Sequence, residues 1–102
     1  MEAVLSKKRQ ILRALFQEYP GSAAYIFGSY ARGKTGPMSD YDFGVLFQQE
    51  LSANKLFDLK IRLLSELTTI LNSNMVDLVV LNEAPVNIAM AVINGCLLYE
   101  KN

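Results

Sequence analysis

Apolar residues recur at helical spacing from the start of the chain. Val4, Ile11, Leu12, Leu15, Phe16 and Tyr19 lie on one side, and Lys7, Lys8, Arg13 and Gln17 on the other. This predicts an amphipathic helix over 2–18, stopped by Pro20-Gly21. The period then shortens. AAYIF at 23–27, YDFGVLF at 41–47 and MVDLVVL at 75–81 each predict a strand. The third is so continuously apolar that burial on both faces is expected. Between the second and third strands, Leu56, Leu59, Leu63, Leu67, Ile70 and Leu71 mark a second long helix beginning after Ser52. Pro85 suits the first turn of a last helix running to about Asn94, with Gly95 as its stop, and CLLYE at 96–100 closes the chain as a short strand.

With a short helix allowed for within 28–40, the order is α-β-α-β-α-β-α-β. The expected class is α/β (α+β): a small mixed β-sheet flanked by helices. The 28–40 connection is too short for a long crossover helix, so the first two strands are expected to run antiparallel.

Composition narrows the picture without deciding it. The 102 residues fit one domain, 1–102, with length for a modest core. Ten basic and ten acidic residues cancel, so no large field points to nucleic-acid or membrane binding. No apolar run approaches the ~20 residues that span a bilayer, and Lys7, Lys8, Arg9 and Arg13 interrupt any signal-peptide core, so a cytoplasmic protein is expected. The lysines and arginine at 7–9 read as the wet face of the first helix. Cys96, the one cysteine, sits among Val92, Ile93, Leu97 and Leu98 and reads as a buried structural thiol. The absence of histidine excludes any mechanism that needs an imidazole from this chain.

The candidate chemistry lies after the first strand. Residues 28–35, GSYARGKT, match the phosphate-binding loop G-x(4)-G-K-[ST]. Such a loop must feed directly into a helix, whereas here Gly36-Pro37 follows at once and cannot continue one. A second pattern covers the same stretch: Gly28-Ser29, ten residues, then Asp40-Tyr41-Asp42. Acids at i and i+2 on a strand share a side, roughly 6.5–7 Å apart at the backbone. Their side chains can converge on ions about 3.5–4 Å apart, the spacing of two-metal phosphoryl chemistry. Asp77 sits inside an apolar strand, where an unpartnered acid is costly to bury. If strands 41–47 and 75–81 are neighbours, three carboxylates meet, a donor set suited to Mg²⁺ or Mn²⁺. The plainer reading makes Asp40 and Asp42 turn or strand-edge acids and pairs Asp77 with a lysine.

FGSYARGKTGPMSDYDFGVLF, VDLVVLNEAP and INGCLLYE together resemble the minimal nucleotidyltransferases of the polymerase-beta superfamily, whose signature is G-S-x(10)-D-x-D with a later Asp on another strand. Gly28, Ser29, Ala31, Arg32, Gly33, Ser39, Asp40, Asp42 and Asp77 fall into that pattern, and Tyr41 and Phe43 stand where aliphatic residues are more usual. The resemblance runs from about residue 23 to the C-terminus. It implies a nucleotidyltransferase fold in which Gly28 and Ser29 meet the triphosphate of ATP. Arg32 either contacts nucleotide or pins the loop, and Lys34 is either a phosphate contact or a solvated charge. Asp40, Asp42 and Asp77 would be catalytic and hold two Mg²⁺ ions.

The resemblance also implies a partner. Stand-alone domains of this kind are similar to antitoxins that transfer AMP from ATP to a tyrosine of a small helical HEPN-class toxin, a hetero-oligomeric pairing. Two alternatives stay open: a non-catalytic protein that neutralises its partner by occlusion, or a catalytic subunit that modifies a small-molecule hydroxyl with a separate acceptor-binding chain.

Overall fold

The computed structural model describes residues 2–28, 41–48 and 50–101. The elements are α1 (Glu2–Gln17), β1 (Gly21–Phe27), β2 (Tyr41–Phe47), α2 (Ala53–Leu71), β3 (Val76–Val80), a single 3₁₀ turn at Leu81–Glu83, α3 (Val86–Ile93) and β4 (Cys96–Glu100). The expected short helix within 28–40 lies almost wholly outside the described residues.

The four strands form one sheet in the order β3-β2-β1-β4. β1 pairs antiparallel with both β2 and β4, while β2 and β3 are parallel and joined through α2. The sheet is mixed, as the short 28–40 connection predicts.

The period-2 pattern sorts the strands into two faces. One face presents Ala24, Ile26, Tyr41, Phe43, Val45, Phe47, Leu78, Val80 and Leu98 to Leu12, Leu15 and Phe16 of α1 and to Leu56, Leu59, Leu63, Leu67 and Leu71 of α2. This is the main core. Phe16 and Phe43 meet in it with ring centroids 6.2 Å apart and planes tilted by 46°. Ser52 caps α2 by accepting a hydrogen bond from the Lys55 amide at 3.2 Å, and Asn72 ends the helix in the left-handed region at φ 51°. Asn82, just after β3, bonds back to both the N–H and the C=O of Phe47 at 2.9 Å, tying the 3₁₀ turn to the end of β2.

Several expectations need correcting. β3 is an edge strand whose burial alternates, because among the described residues nothing pairs beyond it and its second face is only partly covered. Asp77 is therefore exposed, without the burial cost that an acid on a doubly covered strand would carry. Cys96 is exposed too, since it opens the other edge strand, β4. Ile11 turns outward from α1 at 53% exposure. Lys8 is half-buried and donates to the Ile70 carbonyl near the end of α2, so only its neighbours Lys7 and Arg9 keep to the wet face. Gly95 acts through its missing side chain: α3 ends in right-handed geometry at Asn94, and a Cβ on Gly95 would lie 2.5 Å from the Ile26 carbonyl oxygen.

Candidate active site

The second face of the sheet carries the polar chemistry. In register, Phe27 of β1 lies opposite Asp42 of β2, and Asp42 lies beside Asp77 of β3. Register partners project to the same side, and adjacent strands run about 4.8 Å apart, so the two carboxylates stand side by side on this face. The juxtaposition arises because β2 and β3 run parallel, each with its acid at the second position.

Gly28 follows directly at the end of β1. It has φ +75°, a left-handed conformation that L side chains rarely adopt, and a Cβ built there would sit 2.2 Å from Asp42 Oδ2. The glycine thus lets the backbone turn tightly over the Asp42 carboxylate. Asp42 is half-buried, while the exposed Asp77 accepts a hydrogen bond from the Leu78 amide at 3.0 Å, which holds its Oδ1.

Of the expected site residues, the described structure brings together Gly28, Asp42 and Asp77. Ser29, Arg32 and Asp40 lie outside the described residues, as do Ala31, Gly33, Lys34 and Ser39. Among the described residues, no three His, Cys, Asp or Glu side chains converge on a metal-sized site. An all-oxygen pair at this spacing still suits a hard divalent cation.

α3 lies across the same face. Gly44, two residues after Asp42 and on its side of β2, leaves room for the fully buried Val92: a Cβ there would sit 2.2 Å from Val92 Cγ1. Gly95 then brings the end of α3 against Ile26 and Phe27, so the helix ends beside the acids. The sequence reading missed both close approaches. A glycine inside a buried strand is the signal that could have flagged Gly44.

A family model, polymerase beta nucleotidyltransferase, matches residues 10–102. The chain belongs to the polymerase-beta nucleotidyltransferase family. Comparison with curated proteins gives no match. Among solved structures, a toxin–antitoxin complex with AMP-PNP has a chain that is 26% identical, with a TM-score of 0.74 over 92% of this chain and 74% of that one. A chain described as a minimal nucleotidyltransferase is 24% identical, with a TM-score of 0.67 over 90% of this chain and 89% of that one. A complex of the tri-AMPylated HEPN toxin of Shewanella oneidensis with an MNT antitoxin gives 24% identity and a TM-score of 0.63 over 91% of this chain and 73% of that one. The four-stranded mixed sheet with its three helices is thus the nucleotidyltransferase fold of this family. Among the described residues, no helix is long and apolar enough to cross a membrane.

Proposed function

We propose that residues 1–102 act as one nucleotidyltransferase domain that transfers AMP from ATP to a hydroxyl, a tyrosine by resemblance, of a small helical HEPN-class protein, and so silences it as an antitoxin. The observation that carries this reading is the seating of Gly28 on Asp42, with Asp77 alongside in register. The 26%-identical toxin–antitoxin relative bound to AMP-PNP supports both the nucleotide and the kind of partner. The modified Shewanella toxin illustrates the product such a pairing would leave.

Asp42 and Asp77, with Asp40, would hold Mg²⁺. The bound cations would offset the triphosphate charge and lower the pKa of the attacking hydroxyl. Gly28 keeps side-chain bulk away from the carboxylate and lets phosphate approach the backbone closely. Ser29 would add a hydroxyl and an amide donor. In the transfer, the acceptor oxygen bonds the α-phosphorus, the bond to the pyrophosphate oxygen breaks and the hydroxyl proton is lost to solvent.

The test is the mass of a small helical HEPN-class protein after incubation with the chain, ATP and Mg²⁺. Addition of one or more AMP units is expected. A stable complex with unchanged mass, alongside toxin inhibition, would replace transfer by occlusion.

A further inference from the structure

α3 is apolar on more than the side it buries. Val92 turns toward the sheet and Ala89 is half-buried, but Val86, Met90 and Ile93 stand 75%, 58% and 55% exposed. Their i, i+4, i+7 spacing aligns them in a stripe roughly 120° around the helix from Val92, since each residue advances about 100°. Leu97 extends the patch. Its register partner is Tyr25, which also pairs with Gly44, so all three lie on the acidic face of the sheet, and Leu97 is 43% exposed. Residues 84–99 contain no charged side chain. The stripe runs toward Gly95, where α3 meets Phe27 beside Asp42.

We propose that Met90 and Ile93 of α3, with Leu97 of β4, form the surface on which the acceptor protein docks an apolar helix to bring its hydroxyl to the Asp42–Asp77 site. The proposal rests on the function given above and deepens it. An occupant of this patch sits at the margin of the acids. The uncharged stripe fits an apolar helix face laid against anchors at i, i+4 and i+7. The position beside the acids favours a protein that must bring a group to them over a second copy of this chain, which need not reach them. The patch exposes on the order of a few hundred Å², against the ~800 Å² per partner of a stable interface. An occupant must therefore also cover neighbouring surface, as an acceptor reaching into the site does.

The experiment compares wild-type protein, the double variant Met90→Glu/Ile93→Glu, and Phe57→Glu, which alters a residue 65% exposed on α2, a helix packed on the opposite face. All are solvent-exposed positions, and thermal melting with and without MgATP checks each fold. Affinity for the HEPN-class acceptor protein is measured without nucleotide, and the rate of AMP transfer with it. The α3 variant should bind at least tenfold more weakly and transfer correspondingly less at low acceptor concentration, while Phe57→Glu matches wild type. Undiminished binding by the α3 variant would overturn the proposal. So would a wild-type dimer in light scattering that the α3 substitutions dissociate. Wild-type binding without AMP transfer, weakened by the α3 substitutions, would sink the proposed chemistry and leave the surface standing. Absence of any wild-type complex would overturn both.

Discussion

Beneath α1 and α2 the sheet is sealed: Phe43 and Phe47 are fully buried, and Leu63 and Leu67 of α2 close over that face. Beneath α3 the same strands present Asp42, Asp77 and Gly44, with one helix of eight residues as cover among the described residues. The two faces share every backbone hydrogen bond of the sheet, so the difference between them lies in side chains alone. Apolar bulk on the first supplies stability. Carboxylates and glycines on the second give up apolar packing and allow close approaches of backbone and helix. A substitution on the first face should therefore cost stability, and one on the second should cost activity.

The sharpest way to break that division is to change the acidic face. Asp42→Asn keeps the shape and removes a charge, so AMP transfer should fall by more than about a hundredfold, the scale of losing one positioned electrostatic group. Its melting temperature without MgATP should stay close to that of wild type, because the amide keeps the shape of the carboxylate in a fold whose main core lies on the other face. Gly28→Val should be equally inactive through its clash with Asp42, but should also lose about 1–2 kcal/mol for a left-handed backbone carrying a branched side chain. Initial rates and urea unfolding of both variants decide the matter. An active Asp42→Asn would remove Asp42 from the site.

Leu63→Ala tests the opposite face. Leu63 is 0% exposed in the main core, and its truncation should cost about 2–5 kcal/mol in urea unfolding. Transfer measured well below the transition should stay within a few-fold of wild type. A selective loss of activity at full folding would mean that the two faces are coupled.

How much of this was legible in the sequence depends on the range of each signal. Helix and strand positions rest on local period, and the boundaries of β2 and the start of α2 after Ser52 follow from it. That Asp42 and Asp77 come side by side was legible on the condition that strands 41–47 and 75–81 are neighbours, which their parallel pairing meets. Exposure of Cys96 and Asp77 was not legible, since it depends on which strands end up at the sheet edges, a non-local outcome that apolar neighbours in sequence do not encode. The open stripe of α3 was written in the sequence as a helix apolar on several sides, but the same pattern describes a fully buried helix.

At Gly44, α3 packs directly on the strand through Val92. Gly44→Ala puts a methyl group 2.2 Å from Val92 Cγ1, and a β-branched side chain at a fully buried position has little freedom to move away. A cost of about 1–3 kcal/mol is expected. Transfer should also drop, because lifting α3 shifts Gly95 from Phe27 at the site margin. Gly44→Ala combined with Val92→Ala should recover part of the stability, and no recovery would show that the clash lies elsewhere.

The smallest effect belongs to the seam between α1 and α2. The Tyr19 hydroxyl donates to Glu66 Oε2, and partial burial, then that bond and the Glu66 charge, push its pKa from 10.0 up to about 12. A proton held more tightly in the folded chain gives stability that is fully present below pH 10 and is lost as pH climbs from 10 through about 12. Tyr19→Phe removes the titrating group. At neutral pH it should cost at most about 1 kcal/mol, the scale of one hydrogen bond open to solvent. Lysines and other tyrosines titrate in the same range, so the informative quantity is the difference in melting temperature between wild type and variant. That difference should be constant up to about pH 9.5 and shrink above it, as wild type loses the bond that the variant never had. Parallel curves through pH 12 would mean that the Tyr19–Glu66 bond contributes nothing to stability.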